Sequence, residues 1–385
     1  MIIPLCKEIA DNRKGKAKEV IFCPVGDKEQ LKDFITNISK LDGYKDIDYF
    51  FLYKKGMQIN PKSKMFNGLS VIHAEEDLQI GTSGAFFVGS YALFNEGYEV
   101  IVISDIDAVP TSKQMLRILL QKARELQKVV APLSKAKDEI NESQCYNTNQ
   151  WGAFPRSVFE TLGFYTPYTW RGGEDFDLMI RLEKAGLISI SKDIFIYHQH
   201  SGYTIFHKIV EKKKFYPYVA GLMKAFLLQS QHDIKAAIKF LVWYLFYAFF
   251  ADAFSDNDLV KTLKKSSDFL AFHPTNQKKE IEIKKVRNKG VYLHSSSLLF
   301  LLTPAILTSL LLSKKALVYT DEIILQTSRI NLLLGLIKAT ILIPWRILQA
   351  FSSLFSGIKT GKKLIYPVKP ENAKEAIEIY KKMIR

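Results

Sequence analysis

Blocks of β-branched and aromatic residues alternate with stripes of helical period along the first 200 residues. The run Glu19–Val25 reads as a buried strand. Behind it Leu31, Phe34, Ile35 and Ile38 share one face, so their spacing predicts a helix from about Lys28 to Lys40. Further strands are predicted at about 48–53, 69–73, 99–104 and 129–132, with helices at roughly 83–96 and from Ser112 to Leu126 between them. A short strand follows at 193–197. Such βαβ-like repetition predicts an α/β fold with a Rossmann-like, mostly parallel sheet and helices on both faces.

From Phe206 the pattern changes. Residues 207–229 set Lys208, Lys212, Lys213, Lys214 and Lys224 against Ile209, Phe215, Tyr218, Leu222, Phe226 and Leu227, as a basic amphipathic helix would. Residues 240–251 are intensely aromatic, and residues 290–313 hold no Asp, Glu, Lys or Arg, a length that would span or embed in a bilayer. Residues 330–358 form an apolar stretch interrupted by Lys338, Pro344 and Arg346, which suits an in-plane or packed helix as well as a span. The expected organisation is an α/β domain over 1–204, a mainly helical, membrane-associated region over 205–369 and a terminal surface helix over 370–385.

Charge strengthens the membrane expectation. Residues 205–385 carry 29 of the 54 Lys+Arg but only 13 of the 39 Asp+Glu, a net +16 against −1 for residues 1–204, so the whole basic excess resides there. Flanking long apolar segments, this excess points to an anionic membrane surface rather than to nucleic acid. The N-terminus reaches Lys7, Glu8 and Asp11 too soon for a signal peptide, and the 3 cysteines have no metal spacing. The expectation is therefore a cell-membrane protein with its first domain on the cytoplasmic side. No G-x-G-x-x-G or G-x-x-x-x-G-K-[ST] occurs, which argues against a dinucleotide fold or a P-loop.

Three clusters carry chemistry. The strand over 99–104 ends in Asp105-Ile106-Asp107, and open α/β sheets bind ligands at the C-terminal ends of their strands. Paired carboxylates there suit Mg²⁺ or Mn²⁺ bridging to a phosphate, or merely cap the next helix. Trp170-Arg171-Gly172-Gly173-Glu174-Asp175 leads into a helix, where Glu174 and Asp175 either complement its N-terminus or serve as a general base. Tyr197-His198-Gln199-His200 brings an imidazole that can complete an oxygen-rich metal site.

With these residues in order, the first 200 residues resemble the inverting glycosyltransferases of the GT-A fold, family 2, and in particular its rhamnosyl- and galactofuranosyltransferase-like members. The resemblance implies that Asp105-Ile106-Asp107 is the D-x-D motif that holds Mn²⁺ or Mg²⁺ on a nucleoside diphosphate sugar. It places Gly81–Gly89, with Gly84, near the donor, and Gln150–Phe154, with Trp151, at the strand approaching the acceptor side. It makes Asp175 the catalytic base, gives Glu174 an acceptor-holding role, and adds His198 to the metal, with His200 as its rival. Two positions depart from the family pattern. Pro24-Val25-Gly26-Asp27-Lys28 stands where a Thr-Tyr-Asn-Arg-like turn is usual, and Tyr53-Lys54-Lys55-Gly56 where an acid usually meets the nucleobase. Asp27 is then the candidate for part of that contact, with Pro24 beside it.

The implied reaction is sugar transfer to a lipid-linked or polysaccharide acceptor with inversion at the anomeric carbon. Transfer to polyprenyl phosphate itself is the alternative within this class. A nucleotidyltransferase, which also pairs acids with a metal, and a non-catalytic membrane scaffold are the rivals outside it.

Overall fold

Nine strands join into one sheet in the computed structural model, which describes residues 1–13, 15–136, 146–169, 173–198, 228, 245, 249, 291–294, 315–319, 324–328, 334, 337–348 and 364–384. In chain order the strands are β1 (Cys6–Asp11), β2 (Glu19–Val25), β3 (Asp48–Tyr53), β4 (Ser70–Glu76), β5 (Val100–Ser104), β6 (Ala108–Pro110), β7 (Val129–Ala136), β8 (Gln150–Pro155) and β9 (Ile188–His198). The helices among them are α1 (Lys28–Ile38), α2 (Gly81–Glu96), α3 (Met115–Leu126), α4 (Arg156–Leu162) and α5 (Glu174–Lys184).

The spatial order is β1-β4-β3-β2-β5-β8-β7-β9-β6. Neighbours β4, β3, β2 and β5 run parallel, as do β7 and β9, whereas the pairs β1·β4, β5·β8, β7·β8 and β6·β9 are antiparallel. The sheet is thus mixed, a Rossmann-like α/β arrangement consistent with the GT-A fold, which corrects the expected mostly parallel sheet. The chain builds β2, β3 and β4 outward and then crosses to lay β5 on the other side of β2. This reversal opens a crevice beyond the C-terminal ends of β2 and β5.

Strand residues alternate between two cores. Phe22, Phe50, Leu52 and Ile103 face α2, whereas Cys23, Phe51, Tyr53 and Val102 face α1 and α3. Burial on both faces explains why β3 after Asp48 is an unbroken run of aromatic and apolar residues. Residues Ser83–Phe94 of α2 are all buried, and at Gly89 an added Cβ would overlap the Phe22 ring, so glycine lets the helix lie on the sheet. Helix α1 starts at Asp27, whose side chain accepts from the Glu29 and Gln30 amides at 2.8 and 3.1 Å.

The chain forms two compact units. The first contains residues 1–199, 220–232 and 359–385, the second 200–219 and 233–358. The last helix, α6 (Ala373–Ile384), belongs to the first unit and buries Ala373, Ala376, Ile377 and Tyr380. It is docked rather than lying on the surface. Tyr380 donates its hydroxyl to the Ile80 carbonyl at the start of α2. Ahead of α6, Val368 O accepts from Phe164 N at 2.7 Å, and Tyr366 donates to Asp177 Oδ1 at 2.5 Å.

In the second unit, β10 (Val291–His294) pairs parallel with β11 (Lys315–Tyr319), which pairs antiparallel with β12 (Ile324–Ser328). The expected mainly helical, membrane-associated region is therefore corrected. The apolar run expected to embed as a helix over 290–313 opens instead as β10, because Val291 and Tyr292 suit a ladder as well as a helix. Among the described residues no helix is long and apolar enough to cross a membrane. The described helical stretch 337–348 carries Lys338, Pro344 and Arg346. The expected placement on the cytoplasmic side of the cell membrane falls with the segments on which it stood. Apart from residues 228, 245, 249, 291–294, 334 and 337–348, the segments 207–229, 240–251, 290–313 and 330–358 lie outside the described residues.

Candidate functional site

An open cleft of about 580 Å³ occupies the crevice at the C-terminal ends of β2, β3, β4 and β5. Pro24 and Gly26 contribute from the end of β2, Lys54 from just beyond β3, and Glu76 from the end of β4. Gly81 and Thr82 open α2 on its wall, and Asp105 and Asp107 project from the end of β5. The first turn of α2 has no acidic residue and its N-cap, Ile80, makes no side-chain cap. That end of the helix therefore favours an anion.

The loop carrying Asp105 and Asp107 is pinned from both sides. Asp105 N donates to Asn149 O at 2.6 Å, and Ser104 Oγ to Asp105 O at 2.9 Å. Downstream, Ala108 O accepts from the Trp151 indole Nε1 at 2.9 Å. The β5·β8 register slips between Ile103 and Ser104, and Trp151, the extra residue of β8, has φ 66°. A bulky residue in the left-handed region costs on the order of 1–3 kcal/mol. Here a fully buried ring stacked on Phe34 at 5.8 Å holds it in place. Trp151 thus lies beneath the loop, and its ring is not on the cleft surface.

Across the loop, α5 begins after Gly173, whose φ of 88° requires glycine or tolerates it best. Glu174 is buried and Asp175 half-buried in its first turn. Asp175 Oδ1 accepts from Phe176 N at 2.8 Å and Oδ2 from Asn147 Nδ2 at 3.0 Å. Asp177, by contrast, is committed to packing: it pairs with Arg181 at 2.8 Å besides accepting from Tyr366. Burial, then the charges of Asp107, Asp175 and Glu174, push the Asp105 carboxyl well above the ordinary carboxylate range. Four acids therefore share one electrostatic neighbourhood, and a divalent cation would relieve it.

Among the described residues no group of three or more His, Cys, Asp or Glu is arranged to hold a metal ion. Asp105 and Asp107 alone supply hard oxygen donors with surplus negative charge, a set that fits Mg²⁺ or Mn²⁺ completed by phosphate oxygens and water. His198 closes β9, where its backbone pairs with Ala108, next to Asp107. Topology thus brings residue 198 to the acidic loop. His200 and Trp170–Gly172 lie outside the described residues.

Two further expected donor residues sit elsewhere. Asp27 is the cap of α1, and Gly84 faces α6, where an added Cβ would stand 2.5 Å from Tyr380 Oη. Glu76 was missed by sequence because the β4 prediction stopped at residue 73, three short of the cleft. Burial raises its carboxyl to about 7, against the lowering effects of the Ile80 and Lys55 amides and the Lys54 charge.

No protein-family model matches the chain, and no curated protein matches it. Among solved structures, a mannosyltransferase (PcManGT) from Pyrobaculum calidifontis in complex with GDP-Man and Mn²⁺ is similar at 12% identity and a TM-score of 0.46, over 88% of this chain and 90% of that one. S. aureus TarS 1-349 in complex with UDP is similar at 10% identity and a TM-score of 0.39, over 68% and 77%. GalNAc-T7 with UDP, GalNAc and Mn²⁺ is similar at 11% identity and a TM-score of 0.42, over 66% and 55%. None of these likenesses assigns a role to a residue of this chain.

Proposed function

We propose that this protein is a metal-dependent, inverting glycosyltransferase of the GT-A fold, akin to family 2, which transfers a sugar from a nucleoside diphosphate to a hydroxyl of a saccharide acceptor. One observation carries the reading: Asp105 and Asp107 line the switch-point cleft, and Asp175 on α5 stands within the electrostatic reach of Asp105. The anion-favouring start of α2 at Gly81 and Thr82 suits the donor diphosphate. Asp105 and Asp107, with His198 as the third candidate, would hold Mn²⁺ or Mg²⁺, which when bound neutralises charge on the departing nucleoside diphosphate.

Asp175 takes the proton of the acceptor hydroxyl as its oxygen bonds to the anomeric carbon. The bond from that carbon to the diphosphate oxygen breaks on the opposite face, its electron pair leaves with the nucleoside diphosphate, and the configuration inverts. Glu174, buried beside Asp175, orients the acceptor.

The test is a panel of nucleotide sugars with Mn²⁺ or Mg²⁺ and saccharide acceptors, read by release of nucleoside diphosphate and by NMR of the product anomer. One donor should be consumed with inversion. Asp107→Asn should abolish transfer, and Asp175→Asn should lower kcat by about 10²–10⁴-fold while leaving donor binding intact. Release of pyrophosphate, which marks nucleotidyl transfer, or an unimpaired Asp175→Asn protein would overturn the reading.

A further inference from the structure

Residues 147–149, immediately before β8, touch both halves of the acidic centre. Asn147 Oδ1 accepts from Asn149 N at 2.8 Å, closing an Asx turn. From the far end of that turn, Asn149 O accepts the Asp105 amide at 2.6 Å. Its side-chain oxygen accepts from the fully buried Tyr165 hydroxyl at 2.7 Å, which anchors the turn in the core. The remaining group, Asn147 Nδ2, donates to Asp175 Oδ2 at 3.0 Å.

We infer that Asn147 is a positioning residue for Asp175, holding the carboxylate of the proposed base in the orientation that receives the acceptor proton; this rests on the reading of the site given above. Phe176 N holds one carboxylate oxygen and Asn147 the other, so the torsion of the group is set from two directions. A carboxylate has about four acceptor positions. Two hydrogen bonds therefore leave room for an acceptor hydroxyl. Without the amide, repulsion from the other acids would turn Asp175 away from the cluster. Residue identity sharpens the point. An Asp at 147 would close the same Asx turn as well as Asn does. Only the N–H donated to Asp175 calls for an amide.

Asn147→Asp is therefore a separation-of-function variant: it keeps the turn, and with it the support of Asp105, but sets a second carboxyl against Asp175 in place of the neutral amide donor. Asn147→Ser is its partner, because a hydroxyl still makes the turn, more weakly, without adding a charge or reaching Asp175. Both are assayed in the full chain for nucleoside diphosphate release, beside wild type and Asp175→Asn, with thermal unfolding recorded for each. Both should lose kcat by roughly 10- to 100-fold, with donor KM unchanged and the unfolding midpoint close to wild type in Asn147→Ser, which adds no charge. Wild-type turnover by both, with Asp175→Asn inactive, would overturn the inference and leave the reading of the site standing. Wild-type turnover by Asp175→Asn would overturn both. A parallel rise in donor KM or a fallen unfolding midpoint in Asn147→Ser would make residue 147 merely structural, and this also decides the matter should Asn147→Asp not fold.

Discussion

Substituting Gly84 by Ala pits helix propensity against packing, and Tyr380 decides the sign. In a helix interior Ala is favoured over Gly by about 0.8–1.0 kcal/mol. At residue 84, however, the new Cβ would lie 2.5 Å from Tyr380 Oη, 2.8 Å from its Cε1 and 3.0 Å from Ile80 Cβ. Tyr380 cannot swing aside. It is 1% exposed, its hydroxyl is bonded to the Ile80 carbonyl, and its ring meets Tyr168 edge-on at 6.4 Å. Overpacking of this kind costs about 1–3 kcal/mol, so Gly84→Ala should destabilise by roughly 0–2 kcal/mol net. In a Tyr380→Leu background the oxygen and ring edge are gone, and the same substitution should stabilise by up to about 1 kcal/mol. Urea unfolding of the four proteins gives the cycle. Coupling above about 0.5 kcal/mol with a reversal of sign is expected. An equal effect in both backgrounds would refute the argument, because glycine at 84 would then serve something other than the fit of α6.

Two further outcomes are expected. Trp151→Phe removes the donor to Ala108 O and should cost about 1–3 kcal/mol while weakening Mn²⁺ binding measured calorimetrically with nucleoside diphosphate present. An unchanged affinity would sever Trp151 from the acidic loop. In the pH dependence of stability, His73 and Glu76 should oppose each other. Burial depresses His73 to about 4, so its contribution, complete above about 6.5, is lost as pH falls. Burial raises Glu76 to about 7, so its contribution, complete below about 4.5, is lost as pH rises. Relative to wild type, Glu76→Gln should therefore remove a decline between about pH 4.5 and 7, and His73→Gln a climb between about pH 4 and 6.5, in urea titrations. Identical profiles for the two variants would contradict both environments.

The elements that position the cleft were legible because local pattern and burial agree: Leu31, Phe34, Ile35 and Ile38 are all buried on α1, and β2 and β3 span the expected residues. Asp105 and Asp107 stood out because they interrupt an apolar strand at its end. Other features depend on partners distant in sequence. Strand β1 carries the polar pair Lys7 and Glu8, and it is recognisable only through its pairing with β4. The role of Gly84 needs Tyr380, 296 positions later by sequence number, and Asn147 has no signal apart from Asp175. The membrane expectation failed for a different reason. An uncharged apolar run has no period that separates a ladder from a helix, so Val291–His294 was misjudged.

The return of residues 364–384 to the first unit carries a consequence for synthesis. A ribosome that has delivered residue 199 has made the whole nine-stranded sheet, yet the notch at Gly84 and the carboxylate of Asp177 still await Tyr380 and Tyr366. At about 5–20 residues per second, the remaining segment arrives on the order of 10–40 s later. Throughout that interval the nascent sheet keeps an uncovered apolar face on α2 beside the start of its cleft. The second unit is made entirely in its presence, so chaperones have a defined window in which to guard that face, and the first unit closes only once residues 364–384 have been made.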